Sequence, residues 1–401
     1  MIILKFGGTS VEDAHAMRNV IGIIERERNR HPLVVVSAIA GTTNALLKSA
    51  RVSLDGNLDE AYQILNDLLE RHVSLAENLL DNRQAIQQLI LSFKRHIDDL
   101  KNLCRGIAIL GELTNRSLDA IASVGERLSS LILCEALNQF QLPSVLVDAR
   151  SFLITDDHFA LATPLFNKIE EKARAVITPQ LAAGYIVVTQ GFIGATQKGT
   201  TTTLGRGGSD YSAAIIGSVL EAEEIQIWTD VDGVLTADPR IAPAAQKLKI
   251  ISFREASELA YFGAKVLHPS TILPAVKKNI PVVVLNSKRP TSTGTLIVAS
   301  PPKSRVAVKS IASKTGITVV NIQSTRMLMA YGFLQSIFAV FGKYKTAVDL
   351  VSTSEVAVSL TIDTTTHIEA ITAELEEFAD VSVLEKKAIV CIVGEQMHST
   401  V

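Results

Sequence analysis

The chain has 401 residues and 47% hydrophobic content, which predicts two or three domains with cores of their own rather than a disordered chain. Its 39 Lys and Arg residues nearly balance its 41 Asp and Glu residues, so no long-range field recruits nucleic acid or an anionic membrane. Its cysteines, Cys104, Cys134 and Cys391, form no CxxC pair, which argues against a disulfide framework or a thiolate metal site and favours a reducing compartment.

The first predicted element is a strand from Ile2 to Phe6, which ends at Gly7 and Gly8. These glycines follow too soon to leave room for the apolar stretch of a secretory signal. The sequence also has no run of about 18 apolar residues that could span a membrane. We therefore expect a cytoplasmic protein.

A helix is predicted from Val11 to about Arg28, because Ser10 and Asp13 resemble a capping box. The apolar run from Leu33 to Ser37 shows no alternation, as expected of a strand buried on both faces of a parallel sheet. From about Leu58 to Phe140, apolar residues recur every three or four positions, which predicts a helical flank. Further strands are predicted at Ser144 to Val147, Tyr185 to Thr189, Glu224 to Trp228 and Pro281 to Leu285. Strands that alternate with helices predict a three-layer α/β domain with a mainly parallel sheet over residues 1–298.

Residues 299–305 are predicted to be a linker, because Pro301 and Pro302 continue neither a helix nor a sheet. The predicted elements of the region 306–401 follow a different order. Its predicted elements are Ile317 to Ile322, Gly332 to Phe341, Ala347 to Val351, Val356 to Ile362, His367 to Phe378 and Val381 to Leu384. Their β-α-β-β-α-β order over about 317–387 indicates a ferredoxin-like module. Strand-like fragments at 306–316 and 388–401 lack partners in that module and predict a second copy, split around the first and incomplete.

The two familiar phosphate-binding patterns, GxxxxGK[ST] and GxGxxG, are absent from the sequence, which argues against a P-loop or a dinucleotide fold. Short turns rich in Gly, Thr and Ser follow several predicted strands instead. In an open α/β sheet, ligands bind at the carboxyl ends of the strands. We therefore expect these turns to converge on one crevice.

The first turn runs from Lys5 to Ser10 and contains two glycines before a helix. Glycines let the backbone approach an anion closely, and a helix N-terminus favours negative charge. Lys5 adds a full positive charge at the strand end. Taken alone, this turn fits an anion site and an ordinary strand-to-helix turn equally well.

The second turn runs from Thr200 to Asp210 and has three glycines around Arg206. A guanidinium held by flexible backbone suits bidentate recognition of a carboxylate. This composition favours a binding function over a structural loop. Ser209 is predicted to cap a helix that begins near Tyr211.

The third turn runs from Trp228 to Gly233 and continues to Arg240. Carboxylates at a strand end suit the ribose or base of a nucleotide, or its Mg²⁺, although the composition alone also fits a structural turn. Glu126, Lys265 and His268 have structural interpretations that stay open. No histidine pair has metal-ligand spacing, so no metal site built from side chains is predicted.

In combination, these segments resemble the aspartate kinases of the amino acid kinase family. The resemblance rests on KFGGTSV (5–11), VVSAIAGTTN (35–44), GER (125–127), QGFIG (190–194), TTTLGRGGSD (201–210), WTDVDGV (228–234), DPR (238–240) and FGAKVLHP (262–269). It implies an amino acid kinase domain over residues 1–298. It also implies transfer of the ATP γ-phosphoryl group to the side-chain carboxylate of L-aspartate, giving 4-phospho-L-aspartate, the first step towards lysine, threonine and methionine. A carboxylate is already ionised at neutral pH, so this reaction needs no general base.

The resemblance also implies a role for individual residues. Lys5 and Asp210 would be catalytic. The implied ATP contacts are Lys5, Gly7, Gly8, Ser10, Thr229, Asp230, Arg240 and Lys265, with Mg²⁺ held mainly through the phosphates. The implied aspartate contacts are Ser37, Thr43, Glu126, Arg206, Gly207, Gly208 and Ser209. Arg206 would clamp a carboxylate and Glu126 would take the ammonium group. Leu235 stands where the family usually has an aromatic residue beside the nucleotide.

The C-terminal region resembles a pair of ACT domains, most like those of the lysine-sensitive aspartate kinases. The implied contacts with allosteric L-lysine are Met327, Gly332, Phe333, Leu334, Asp349, Ser354 and Glu355. The carboxylates of Asp349 and Glu355 suit ammonium groups, and the backbone near Gly332 suits a carboxylate; two ordinary surface charges are the alternative. Ala330 stands where a hydroxyl is expected. We expect a homodimer or larger homo-oligomer, because such modules expose sheet edges.

Two classes of function compete for this sequence. One is a feedback-inhibited aspartate kinase, and the other is a catalytically silent lysine-binding regulatory protein on the same fold. Acetylglutamate, glutamate 5- and uridylate kinases are alternatives on the same fold that leave the ACT segment unexplained. The charged residues Lys5, Glu126, Arg206 and Asp210 favour the enzyme, because a silent scaffold has no physical need for them.

Overall fold

The computed structural model of the protein describes residues 1–262, 267, 269–302, 308–324 and 331–394. These residues form two compact units. The first contains residues 1–236, 244–261, 267 and 269–302, and the second contains 237–243, 262, 308–324 and 331–394. Within these ranges, no helix combines the length and the apolar character that a membrane crossing requires.

The first unit alternates strands and helices. Its strands are β1 (Ile2–Phe6), β2 (Pro32–Val36), β3 (Ser144–Leu146), β4 (Ile154–Thr155), β5 (Ile186–Gln190), β6 (Ile193–Thr196), β7 (Thr201–Thr203), β8 (Glu224–Thr229), β9 (Ile250–Ser252), β10 (Val282–Asn286) and β11 (Thr295–Val298). Its helices are α1 (Ala14–Arg26), α2 (Thr42–Leu54), α3 (Leu58–Leu79), α4 (Arg83–Leu110), α5 (Asn115–Ala122), α6 (Val124–Gln139), α7 (Phe166–Val176), α8 (Thr178–Ala182), α9 (Gly208–Val219), α10 (Phe253–Tyr261) and α11 (Leu273–Lys277).

The main sheet of this unit has the strand order β3-β5-β2-β1-β8-β10-β11-β9. Only the β10–β11 pair in it is antiparallel. Every residue of β1 and β2 is buried, which explains why their apolar runs do not alternate. The predicted α/β fold with a mainly parallel sheet is therefore confirmed.

Strand β1 brings the first and third predicted turns to one edge of the main sheet. Lys5 in β1 is paired with Val35 of β2 on one side and with Ile227 of β8 on the other. Because all three strands are parallel, their carboxyl ends open on the same side. A smaller sheet of order β4-β6-β7 lies in the same unit, and β7 leads into the glycine turn around Arg206.

The N-terminal helix does not begin where the capping box predicted. Helix α1 begins at Ala14, and Asp13 is its N-cap, accepting a hydrogen bond from the Ala16 backbone N–H at 2.8 Å. Ser10 instead ends a short 3₁₀ turn, and its hydroxyl lies 2.8 Å from the Ser287 hydroxyl. The prediction of Ser10 as the cap was wrong because a distant partner holds its side chain.

The cap predicted for the later helix was also wrong. Helix α9 begins at Gly208, with Gly207 as its N-cap in the left-handed conformation at φ 73°. Ser209 therefore lies inside the first turn of the helix, and no side chain provides the cap. A backbone that must turn sharply just before the helix takes a glycine at the position that a capping serine would otherwise fill.

The second unit contains β12 (Ser310–Gln323), α12 (Phe333–Lys343), β13 (Val351–Thr353), β14 (Ala357–Ile362), α13 (Ile368–Glu376) and β15 (Asp380–Val393). Its sheet has the order β13-β14-β12-β15, and all three strand pairs in it are antiparallel. Val320, Ile337, Phe341, Leu360 and Leu375 are among the residues of its core. The element order is the predicted β-α-β-β-α-β, so the ferredoxin-like arrangement is confirmed.

The described parts of the two fragments that were predicted to lack partners in the first module, 308–316 and 388–394, are continuous with strands of this module. Strands β12 and β15 are each 14 residues long. They pair with each other along their length, from Ser310 opposite Val393 to Gln323 opposite Asp380, with register shifts on both sides of Ile317. Within the described residues, the two fragments therefore pair with each other. Their membership of a second module stays a prediction.

Candidate active site

A cleft of about 250 Å³ opens where β1 ends and α9 begins. The side chains that line it include Lys5, Thr43, Glu126, Arg206, Ser209 and Asp210. The ring of Phe192 and the backbone of residues 205–208 complete the lining. Parts of the chain more than 200 positions apart thus meet at one sheet edge.

A buried ion pair joins Lys5 and Asp210 in this cleft. The distance from Lys5 Nζ to Asp210 Oδ1 is 2.6 Å, and the two side chains are 10% and 15% exposed. Asp210 lies in the first turn of α9, where the helix dipole favours a carboxylate. A Cβ atom at Gly7 would lie 3.5 Å from Lys5 Nζ, an ordinary contact distance, so the Gly7 backbone lies close to the ammonium group. The ion pair holds the Lys5 ammonium group at the lining of the cleft.

Glu126 is the most deeply buried acid of the cleft, at 3% exposed. Burial raises the pKa of its carboxyl to about 8, and backbone hydrogen bonds from Ala38 and from Glu126 itself counteract this only in part. Its Oε2 atom is buried and has no hydrogen-bond partner among the residues that the structure describes. A buried carboxyl with an unused oxygen at the wall of a cleft is suited to a ligand that brings a positive charge.

Arg206 lies in a turn that glycine backbone makes possible. Gly205 and Gly207 on either side of it have φ values of 76° and 73°, a left-handed conformation that other residues adopt only at a cost. A Cβ atom at Gly208 would lie 2.6 Å from Phe192 Cδ2. The turn therefore packs closely behind Arg206 and leaves the arginine itself exposed at the cleft.

The remaining residues predicted to contact aspartate occupy two places. Thr43, in the first turn of α2, lines the cleft, as do Gly207, Gly208 and Ser209. Ser37 follows β2 and lies outside the described lining. Its backbone N–H donates to Phe6 O at 3.1 Å, and its carbonyl accepts from Ser129 Oγ at 2.8 Å.

The residues predicted to contact ATP at the end of β1 are bonded to Trp228, which precedes Thr229 in β8. Gly7 N–H donates to Trp228 O at 3.1 Å, and the Ser10 hydroxyl donates to the same oxygen at 3.3 Å. Thr229 ends β8 and its hydroxyl donates to Asp230 Oδ1 at 3.2 Å. A Cβ atom at Gly8 would lie 2.8 Å from Ala38 O, so the turns after β1 and β2 are in close contact. None of these residues is in the described lining of the cleft.

Arg240 and Leu235 are also not among the described lining residues of the cleft. Arg240 belongs to the second unit and is exposed. It forms a salt bridge of 2.6 Å with Asp238, and its hydrogen bonds lower the pKa of that carboxyl to about 2. Leu235 forms an isolated antiparallel bridge with Lys247. Lys265 and His268 lie outside the described residues.

The predicted lysine-binding residues lie in the second unit, except that Met327 and Ala330 are outside the described residues. Gly332, at φ 85°, is the N-cap of α12, so Phe333 and Leu334 form its first turn. Asp349 precedes β13, and Ser354 and Glu355 follow it. Asp349 also lies 3.5 Å from the Lys314 ammonium group.

One feature of the cleft was not found from the sequence. Phe192 forms part of its wall with a left-handed backbone at φ 67°, which is unusual for an aromatic residue. Its neighbour Gly191 was the available signal, because a Cβ atom there would lie 2.6 Å from Ser209 Cβ. Within the described part of the chain, no cluster of three or more His, Cys, Asp or Glu residues forms a metal site.

Comparisons with known proteins identify what this chain is similar to. The family model described as amino acid kinase family matches residues 1–286. Lysine-sensitive aspartokinase 3 of Escherichia coli is 37% identical over 417 residues, which cover 99% of this chain and 88% of the relative.

Two solved structures of Escherichia coli aspartokinase III are similar along nearly the whole chain. The complex with aspartate and ADP, in the R-state, has a TM-score of 0.84 at 36% identity and covers 100% of this chain and 89% of the other. The complex with lysine and aspartate, in the T-state, has a TM-score of 0.83 at 36% identity, with 98% and 87% covered.

Proposed function

The chain belongs to the amino acid kinase family and, within it, to the aspartokinases, and we propose that it phosphorylates the side-chain carboxylate of L-aspartate with ATP. The observation that carries this proposal is the meeting of Lys5, Glu126 and Arg206 in one cleft. Aspartate has one ammonium group and two carboxylates. A buried acid, an exposed arginine and a buried lysine match these groups in sign.

Each charged residue of the cleft binds a different group of aspartate. Arg206 offers a planar pair of N–H donors to one carboxylate of aspartate. Glu126 accepts the ammonium group through the buried oxygen that has no partner among the described residues. The other carboxylate then points along the cleft towards Lys5. Held in this way, the nucleophile is oriented before the phosphoryl group arrives.

The reaction itself needs little covalent help from the protein. An oxygen of the side-chain carboxylate, ionised at neutral pH, attacks the γ-phosphorus, and the bond to the β-phosphate oxygen breaks as ADP leaves. Negative charge spreads over the phosphoryl oxygens, and Lys5 stabilises it from the floor of the cleft. Asp210, 2.6 Å from Lys5 Nζ, positions that ammonium group. The catalytic roles of Lys5 and Asp210 are part of the proposal.

ATP as the donor is supported by the ADP bound to the similar Escherichia coli enzyme. The Lys5 ammonium group and the positive end of α9 at the cleft fit an anionic phosphate chain. We infer that the donor is MgATP, with the ion held mainly through the phosphates. Bound there, Mg²⁺ would neutralise phosphate charge. Nucleotide contacts from Gly7, Gly8, Ser10, Thr229, Asp230, Arg240 and Lys265 stay predictions.

Feedback inhibition by L-lysine is the regulatory part of the proposal. A relative that is 37% identical is named lysine-sensitive, and a similar solved structure contains lysine. We propose that the effector contacts the N-terminal turn of α12 and the carboxylates at the ends of β13, together with Met327. A homodimer or larger assembly and a cytoplasmic location are predictions of the same kind.

The catalytically silent alternative is less well supported. It offers no reason for the salt bridge between Lys5 and Asp210 beside a buried, protonatable Glu126. Burying charges costs free energy unless a function or a partner offsets the cost. A buried acid with a raised pKa beside an ion pair is typical of catalytic clefts.

Hydroxylamine trapping tests the proposed function directly. Purified protein with MgATP and L-aspartate should form an acyl phosphate that hydroxylamine converts to aspartyl hydroxamate. A better rate with L-glutamate or N-acetyl-L-glutamate would refute the substrate. The same assay with L-lysine or L-threonine added identifies the effector, and full activity at millimolar lysine would refute lysine inhibition.

A further inference from the structure

Asp119, on α5, is a buried acid outside the cleft lining that is 2% exposed. Its carboxylate accepts three hydrogen bonds. Thr203 donates its hydroxyl to Oδ1 at 2.6 Å and its backbone N–H to Oδ2 at 3.0 Å. The Ala160 backbone N–H donates to Oδ2 at 2.9 Å. One side chain thus joins a helix, a strand and a loop.

The two residues that donate hydrogen bonds to Asp119, Thr203 and Ala160, are both close to the turn that carries Arg206. Thr203 is the last residue of β7, two positions before Gly205. From the loop side, a Cβ atom at Gly205 would lie 2.6 Å from Leu161 Cδ1 and 3.3 Å from Ala160 O. The loop is therefore packed against the turn at the point where its backbone becomes left-handed.

A further hydrogen bond connects the same loop directly to β7. The Ala162 N–H donates to Thr203 O at 2.9 Å, so the loop and β7 are also bonded to each other. Burial raises the pKa of Asp119, and the three donors counteract that effect. All three hydrogen bonds of Asp119 go to β7 and to the loop, so they fix these two segments relative to α5. Helix α5 ends two residues before α6 begins. Helix α6 carries Glu126 in its first turn.

We propose that Asp119 is a positioning residue for aspartate binding, which sets the distance between Arg206 on its turn and Glu126 on α6. It touches neither reactant. Its hydrogen bonds to Thr203 and Ala160 hold the loop and β7 against the helix pair that carries Glu126. The proposal rests on the proposed function for its kinetic consequence only, because the ordering of the turn is measurable without turnover.

Asp119→Ala should remove all three hydrogen bonds and release the turn. We expect kcat/KM for L-aspartate to fall about 10- to 100-fold, as for other small misplacements of binding groups. KM for ATP should stay within about twofold of the parent value, because Asp119 positions residues that bind aspartate and not ATP. Asp119→Asn keeps an acceptor oxygen for the backbone N–H groups, and should retain activity within about threefold.

Asn138→Ala is the matched control. Asn138 also makes three hydrogen bonds to backbone groups, with Ser144 N–H, Ser144 O and Cys134 O. It lies near the last turn of α6, about 18 Å along the helix from Glu126. Asn138 is exposed, whereas Asp119 is buried, so the control should lose less stability than Asp119→Ala, and KM for aspartate should stay at the parent value.

Amide hydrogen exchange provides the readout that does not depend on catalysis. Asp119→Ala should speed exchange about tenfold or more in peptides covering 158–163 and 203–208, with β1 and β8 unchanged. If Asp119→Ala does not fold, Thr203→Val removes only the 2.6 Å hydroxyl bond and should show the same pattern at smaller size.

Two results would overturn the positioning role. One is an aspartate KM for Asp119→Ala that equals that of Asn138→Ala, and the other is unchanged exchange at 203–208. A parent protein that never phosphorylates aspartate would refute the proposed function alone, because the exchange comparison would still decide the positioning role.

Discussion

Replacing Glu126 with glutamine removes the carboxyl that we expect the ammonium group of the substrate to contact. The carboxyl has an ordinary pKa of 4.5, which burial raises to about 8 in the folded protein. At neutral pH the folded protein therefore holds a proton on Glu126 that the unfolded chain releases. Glutamine has nearly the same shape and never ionises.

The pKa difference fixes the sign and the approximate size of the effect on stability. Between pH 4.5 and about 8, the unfolded chain binds one proton fewer at this site, so the parent loses about 1.4 kcal/mol of unfolding free energy per pH unit relative to Glu126→Gln. At pH 7 the loss amounts to about 3 kcal/mol. A buried amide group without a partner costs about 1–3 kcal/mol, so the slope with pH is a cleaner observable than the absolute difference.

Urea denaturation at several pH values measures this slope. The single tryptophan of the chain, Trp228, is buried in the same unit as Glu126 and reports its unfolding. The unfolding free energy of the parent should fall with rising pH relative to that of Glu126→Gln, from pH 5 to pH 7. Parallel curves for the two proteins would refute the raised pKa.

The same titration should appear in the kinetics of the parent. Aspartate binding requires the ionised carboxyl, so kcat/KM for aspartate should rise towards about pH 8 and level off above it. Glu126→Gln should lose about 10- to 100-fold in kcat/KM, the value of a hydrogen bond to a charged group, and should lack this rise. Full activity in the variant would show that Glu126 does not bind the ammonium group.

Three further changes test other parts of the account. Arg206→Lys keeps the charge but loses the planar pair of donors, so KM for aspartate should rise about tenfold or more, and an unchanged KM would contradict carboxylate binding by Arg206. Gly208→Ala places a Cβ atom 2.6 Å from Phe192 Cδ2 and should lower the unfolding free energy by about 1–3 kcal/mol; its control is Gly22→Ala in α1, where the new Cβ atom meets nothing within 4 Å and a gain of about 0.5–1 kcal/mol is expected. Equal urea midpoints for these two variants would contradict the packing of the turn. Asp349→Ala should weaken inhibition by lysine about tenfold or more at unchanged KM for aspartate, and parent-like inhibition curves would remove Asp349 from the effector site.

The sheet and the convergence of the turns could be predicted because they depend on strongly patterned sequence. The unbroken apolar runs of β1 and β2 indicate strands buried on both faces, and parallel strands bring their carboxyl ends together. Lys5 and Arg206, which lie 201 positions apart, line the same cleft. Arg206 follows β7 of the smaller sheet, so the rule for parallel strands accounts for the position of Lys5 and not for that of Arg206. The short strands β4, β6, β7, β9 and β11 have too few residues for a periodic pattern and were not predicted.

The features that the sequence did not reveal depend on tertiary contacts, which no local sequence pattern encodes. Ser10 matches a capping box in spacing, but it bonds Ser287, which is 277 positions away. The fragments on either side of the C-terminal module pair with each other, although about 70 residues separate Thr315 from Ala388. Asp119 has no motif around it, because its function in the fold depends on where Thr203 and Ala160 lie.

The central claim is that Lys5 stabilises the phosphoryl group as it passes between two bound anions. Lys5→Met keeps the length of the side chain and removes its charge, and the hydroxamate rate with MgATP and L-aspartate measures the consequence. We predict a loss of at least about 1000-fold in kcat, with the Trp228 fluorescence of the folded protein preserved. A folded Lys5→Met variant that forms aspartyl hydroxamate at a rate near that of the parent would contradict the account.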